Sequence, residues 1–391
     1  MYIKMLRDSN PWWNSDDWVS RDKNLVEYSS LRVKWIPEWI DRVSLEPFSL
    51  NFILGLRQVG KTTGLKILIK RLIVNIDSNN IAYIDCDAFP DFLSLREAIE
   101  SYLDAVKADT RFIFLDEVTG LTEWWKAVKY LIDIGKLKDC VLTVTGSSSL
   151  RVKKDIELFP GRTGMGETIE VLPLSFKEYI EVFGVKKYKL EYDRVLSLFK
   201  KYLETGGFPL TINGLSSNHV LNALVGELVR FGKSIEIAKE ALSSLISKIP
   251  SALSFRAVAK GTSGYSYKTI QEYIEFMKNL YILDFAYLKE GNRVLYRKEK
   301  KIFFRDPLLL NIFSAWSNTG YLYSALIENV VQEHLYRKFS EIYYYRNSYE
   351  IDCIAGDLKI EVKAGKPHRK YPRNVTVLDE ESIPEFLIEI S

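Results

Sequence analysis

Two periodicities divide this chain. From about Leu50 to Ile180, short apolar runs bounded by Gly, Asp or Ser alternate with longer segments whose apolar residues recur every three or four positions. "LNFIL", "IAYIDCDAF", "RFIFLDEV" and "CVLTVTGSSSL" contain runs of the kind found in strands buried on both faces, and "TTGLKILIKRLIVNI" has helical spacing. Strand and helix in strict alternation predict an α/β fold, a parallel sheet with helices on both faces. From Gly184 to about Ile249 the pattern is helical throughout, as in "ALVGELVRFGKSIEIAKEALSSLISKI". "SFRAVAKGTSGYSYKTIQEYIEFMKNLYILDFA" then reads as helix, Gly/Ser turn, helix, strand, an order that suits a winged helix. Near the end come an amphipathic helix, "YSALIENVVQEHLYRKF", a strand, "EIYYYR", and a hairpin, "YEIDCIAG" with "DLKIEVKAG".

The junction between the first strand and its helix changes the picture from fold to chemistry. It matches G-x-x-x-x-G-K-[ST] through Gly55, Gly60, Lys61 and Thr62, with Arg57, Gln58 and Val59 inside the loop and Thr63 after it. Glycines permit backbone angles closed to other residues, so successive N–H groups can point at phosphate oxygens. Lys61 is placed to reach the β- and γ-phosphates, the Thr62 hydroxyl to ligate Mg²⁺, and the helix N-terminus to face the anion. The alternative, a glycine-containing turn, does not require a strand before it and a helix after it; both are here.

Such a loop needs an acid for the metal. The strand Phe112–Leu115 ends in Asp116 and Glu117. Asp116 is expected to hold Mg²⁺ through water and Glu117 to orient and deprotonate the attacking water. Ser147, after a further strand, is a candidate for sensing the γ-phosphate or for holding the water. Arg162 in the Gly-rich "FPGRTGMGE" is a candidate arginine finger for a neighbouring subunit. The absence of N-K-x-D or T-K-x-D favours ATP over GTP.

The last segment carries a second constellation. Glu328 lies on the amphipathic helix, Asp352 late in one hairpin strand, and Glu361 and Lys363 alternate onto one face of the next. Two carboxylates and a lysine at this spacing suit Mg²⁺-dependent phosphodiester cleavage, although such a pattern also arises on ordinary edge strands. The basic run "KAGKPHRKYPRN" beside it favours a polyanion nearby. In the winged-helix segment, Lys268 is a candidate DNA phosphate contact, with a protein–protein role left open.

Composition narrows the setting. The 391 residues are 47% hydrophobic, enough for two or three domains with real cores, and 54 basic against 51 acidic residues give a net charge of +3 that identifies no partner. Cys86, Cys140 and Cys353 are too scattered for a zinc site or a disulfide framework and read as reduced, buried thiols. No uncharged run approaches the ~20 residues of a membrane span, and the N-terminal "MYIKMLRDSNPWW" has no signal-peptide core, so the cytoplasm is expected and a membrane is not.

Taken with "NPWW" at Asn10–Trp13, "GLRQVGKTT", "FLDEV", "TGSSS", "GR" at Gly161, "LPLSFKEY", "GGFP" at Gly206 and the closing "EID…EVK", these motifs make nearly the whole chain resemble a family of prokaryotic, largely archaeal, AAA+-class ATPases. Its members join a P-loop domain to a winged helix and a restriction-endonuclease-like domain of PD-(D/E)XK type. The resemblance implies ATP or ADP with Mg²⁺ as ligands and a homo-oligomer, with a hexameric ring and DNA as candidate partners. It divides the chain into a Trp-rich extension (1–30), the ATPase domain (31–183), a helical lid (184–249), the winged helix (250–300) and the nuclease-like domain (301–391). An oligomeric ATPase that moves its C-terminal domains is the first expectation. A slow nucleotide switch and an ATP-regulated nuclease stand as alternatives.

Overall fold

The computed structural model describes residues 2–147, 159–347, 349–365 and 371–391. They form two compact units, Met1–Val171 and Leu172–Ser391. The end of "TGSSS" and the centre of the basic run (residues 366–370) lie outside the described residues.

Among the described residues of the first unit, five strands make one parallel sheet: β1 (Ser49–Gly55), β2 (Ile81–Asp85), β3 (Arg111–Asp116), β4 (Cys140–Gly146) and β5 (Thr168–Val171), in the order β2-β3-β4-β1-β5. The continuous apolar runs become the wholly buried strands β1 and β4, where water is excluded from both faces. The chain leaves β1 by the helix Lys61–Leu72, crosses to the far edge at β2, and returns through Phe92–Ala105 and Trp124–Asp133. Right-handed crossovers running in opposite directions put the first helix on one face and the other two on the opposite face. All five strands point the same way, so the ends of β1, β3 and β4 share one sheet edge, where ligands of such sheets sit.

The N-terminal segment belongs to this unit rather than standing apart from it. β2 is an edge strand, and its outward peptide groups need partners. Asn10 supplies them: its Oδ1 accepts from Tyr83 N–H at 2.6 Å and its Nδ2 donates to Tyr83 O at 2.8 Å. The indoles of Trp12 and Trp13 both donate to Ile81 O, at 3.0 and 2.8 Å. Trp12 and Trp18 are buried against one another and Trp13 stacks on Tyr102.

Gly55 is required by packing. A Cβ there would lie 2.0 Å from the Val171 carbonyl oxygen of β5. Gly55→Ala must push β5 away and is expected to cost about 2 kcal/mol or more, the cost of an overpacked core. A thermal unfolding scan checks this; an unshifted midpoint would show that β5 yields freely.

The second unit opens with helices, including Tyr192–Thr205, Asn218–Arg230 and Ile235–Ile246. Phe255–Ala259 and Tyr267–Asn279 follow, then β6 (Leu283–Glu290), β7 (Arg293–Val294) and β8 (Lys300–Phe304). The helix Tyr323–Phe339 leads to β9 (Tyr343–Arg346), β10 (Glu350–Ala355), β11 (Leu358–Val362) and β12 (Thr376–Leu378), and Ser382–Ile390 closes the chain as a helix. Among the described residues these strands form one mixed sheet ordered β12-β11-β10-β9-β6-β7, with β8 also paired to β6. The boundary expected between residues 300 and 301 therefore falls inside β8, because this strand pairs with β6, which also pairs with β9. The hairpin of the expected winged helix and the strands of the expected nuclease-like domain share one sheet. Among the described residues no helix is long and apolar enough to cross a membrane.

Candidate functional site

The loop after β1 turns sharply on two left-handed residues, Gln58 (φ 66°) and Gly60 (φ 86°). Gly60 caps the helix Lys61–Leu72, and Val59 is buried beneath the loop. Lys61 is also buried, and its ammonium donates to the Gly55 and Leu56 carbonyls at 2.9 and 2.7 Å. The lysine thus lies folded across the loop, where an arriving phosphate would compete for it. Thr63 follows Thr62 in the first turn of the helix and is half-buried.

Thr62 Oγ1 donates to Asp116 Oδ2 at 2.8 Å, joining the loop to the end of β3 across the intervening β4. β4 contributes Thr145, whose hydroxyl donates to Asp116 Oδ1. β2 contributes Tyr83, whose hydroxyl donates to Oδ2 at 2.7 Å. Burial, then the Asp116 charge, pushes the Tyr83 phenol far above its ordinary value, so it stays a donor.

Glu117 adopts φ 53°, unusual for a residue with a side chain. Its N–H donates to Thr145 Oγ1 at 3.0 Å, which helps hold this turn. Its Oε1 accepts from Thr119 at 2.5 Å and from Ser147 at 2.8 Å, with Arg57 Nη2 at 3.7 Å. Burial pushes this carboxyl up, but Lys61, the two hydroxyls and Arg57 outweigh it and hold the group below the usual glutamate value.

Arg162 lies elsewhere in the unit. Its neighbour Thr163 accepts from Leu50 N–H at the start of β1, whereas the loop follows the end of β1. Its guanidinium pairs with Asp133 at 2.7 Å. Within one chain the two sites lie at opposite sheet edges.

Glu328, Asp352, Glu361 and Lys363 fall into two separate ion-paired groups. Asp352 is the third residue of β10 rather than near its end. Lys301, buried on β8, donates to Glu328 at 2.8 Å and to Asp352 at 2.6 Å, with Glu350 at 3.3 Å. Glu361 pairs separately, accepting from Lys363 at 2.5 Å and Tyr371 at 3.0 Å. Burial, then Asp352, pushes the Glu361 carboxyl up. Among the described residues no group of three or more His, Cys, Asp or Glu is arranged to hold a metal ion. The set does not fit a divalent cation as it stands, because the Lys301 ammonium occupies the place between Glu328 and Asp352 and the Lys363 ammonium pairs with Glu361. Lys268 is exposed, at the second position of Tyr267–Asn279.

Tyr83, Thr145, Thr119 and Lys301 were not singled out from the sequence. Tyr83 and Thr145 read as ordinary strand residues, and Lys301 sits in the run "KEKKIFF", which gives no sign that one lysine turns inward.

The five-stranded parallel sheet with this loop after β1 is the fold of a P-loop nucleoside triphosphatase. Residues 48–180 match the family model of an AAA domain. Two uncharacterized proteins of Methanocaldococcus jannaschii are 24% and 25% identical over 349 and 361 residues, alignments that cover 80% and 81% of this chain and 73% of each relative. The Aeropyrum pernix Orc1 protein, solved in complex with DNA, aligns over 78% of this chain and 96% of its own at 14% identity, with a TM-score of 0.35, a likeness too distant to bear on function.

Proposed function

We propose that this chain is an AAA+-type ATPase that binds ATP with Mg²⁺ and hydrolyses it. One observation carries this reading: the loop that bears Lys61 also directs the Thr62 hydroxyl onto the Asp116 carboxylate, 2.8 Å away, from a different strand. A hydroxyl and a carboxylate so placed suit Mg²⁺, directly and through water. Bound there, the cation would neutralise charge on the phosphate oxygens.

The chain's own groups do the rest. Loop N–H groups and the helix N-terminus cradle the phosphates, and Lys61 exchanges its two carbonyl partners for phosphate oxygens. Glu117, ionised and steered by Thr119 and Ser147, orients the attacking water and takes its proton. Arg162, remote from its own loop, would exchange its Asp133 partner for a neighbouring subunit's phosphate, in a homo-oligomer such as a hexameric ring. The second unit's helix–helix–hairpin segment would act as a winged helix, with DNA as candidate partner through Lys268. ATP turnover would reposition that unit. Phosphate release by purified protein, dependent on both ATP and Mg²⁺, tests the reading; none under either condition refutes it.

The Glu117 environment also sets a pH expectation. A carboxyl held below its ordinary value remains an anion as pH falls toward that value, so the acid limb of kcat/KM due to Glu117 lies below the usual glutamate range. A pH–rate profile whose acid limb near neutrality disappeared in Glu117→Gln would contradict this.

A further inference from the structure

Asp116 is gripped by hydroxyls from three elements: Thr62 on the helix, Thr145 on β4 and Tyr83 on β2. A carboxylate turns easily about its last torsion, so what holds it decides whether it faces a cation. Thr62 is the donor that must turn away if its oxygen is to ligate a metal. Oδ2 then keeps Tyr83 as its hydroxyl partner.

Tyr83 is itself held on every side. Asn10 brackets its peptide N–H and its carbonyl. The Lys66 ammonium sits 3.5 Å from its ring centroid. Lys66 is buried, pairs with Asp22 at 3.4 Å and lies 4.9 Å from the Trp12 ring. A cationic side chain buried between two rings and one carboxylate is costly to place unless its geometry is fixed. Asp22 and Trp12 come from the same N-terminal segment as Asn10, so that segment grips β2 from outside the sheet and flanks the Lys66 ammonium that sits over the Tyr83 ring.

We propose that Tyr83 is a positioning residue that keeps Asp116 facing the magnesium of a bound nucleotide, and that the Asn10–Trp13 segment holds Tyr83 in place. This rests on the nucleotide reading above. It assigns the N-terminal segment a role in metal affinity.

The test is a fluorescent ADP titration of wild type, Tyr83→Phe and Asn10→Ala, in EDTA and across a Mg²⁺ series, with thermal unfolding alongside. Tyr83→Phe keeps the ring under Lys66 and removes one hydrogen bond to a charged group. Its Mg²⁺ half-saturation is expected to rise about tenfold, while ADP affinity in EDTA stays within about twofold of wild type. Asn10→Ala, with the Tyr83 hydroxyl intact, is expected to shift Mg²⁺ half-saturation in the same direction by less. Equal Mg²⁺ half-saturation in wild type and Tyr83→Phe overturns the inference, as does a loss of ADP affinity that is the same with and without Mg²⁺. Wild-type protein that binds no ADP at all overturns the nucleotide reading along with it.

Discussion

Lys61→Ala is expected to remove ATP turnover, leaving on the order of a thousandth of the wild-type rate or less. The lysine is buried at the bottom of the loop and already desolvated, so its charge acts at full strength on a phosphate that displaces the Gly55 and Leu56 carbonyls. No neighbour can take its place: Arg57 lies in the same loop but faces Glu117. Alanine removes the donor from both carbonyls and leaves the left-handed turn at Gln58 and Gly60 less well supported. ATP affinity should therefore weaken together with turnover. Phosphate release at saturating Mg²⁺ and ATP, with circular dichroism to confirm that the sheet persists, measures the effect. Turnover that survived the substitution would move the chemistry to another loop.

Glu117→Gln is expected to separate binding from chemistry. Glutamine has the same shape and can still accept from Thr119 or Ser147 through its carbonyl oxygen. It cannot take a proton. General-base catalysis contributes about 10²–10⁴-fold, so turnover should fall by that factor while ATP affinity changes little. The purified variant should then retain ATP where wild type retains ADP or nothing. A parallel loss of affinity and rate would instead mean that Glu117 supports the loop through Arg57 rather than handling water.

What could be read from the sequence follows from how local each interaction is. The phosphate loop is legible because its strand, glycines, lysine and hydroxyls are contiguous, and each residue type has its own chemical reason. Asp116 and Glu117 are legible because acids ending an apolar run are costly without a partner. Tyr83 is not: its partners Asn10 and Asp116 lie 73 and 33 positions away, and nothing in "IAYID" separates it from a tyrosine placed to fill space. The "NPWW" motif could be recognised but not explained until β2 proved to be an edge strand. In the second unit, alternation located the strands, but it carries no record of which strands become neighbours. The boundary at residue 300 fell inside β8 for that reason. Lys301 is not legible for the same reason, since its burial depends on carboxylates 27 and 51 positions later.

Calorimetric titration of ATP into the wild-type chain with Mg²⁺, repeated with Lys61→Ala, tests most directly whether the loop between β1 and its helix receives a triphosphate. Saturable heat near one nucleotide per chain, strongly diminished in the variant, is the expected result. No heat from folded wild-type protein, or the same isotherm from both, would contradict it.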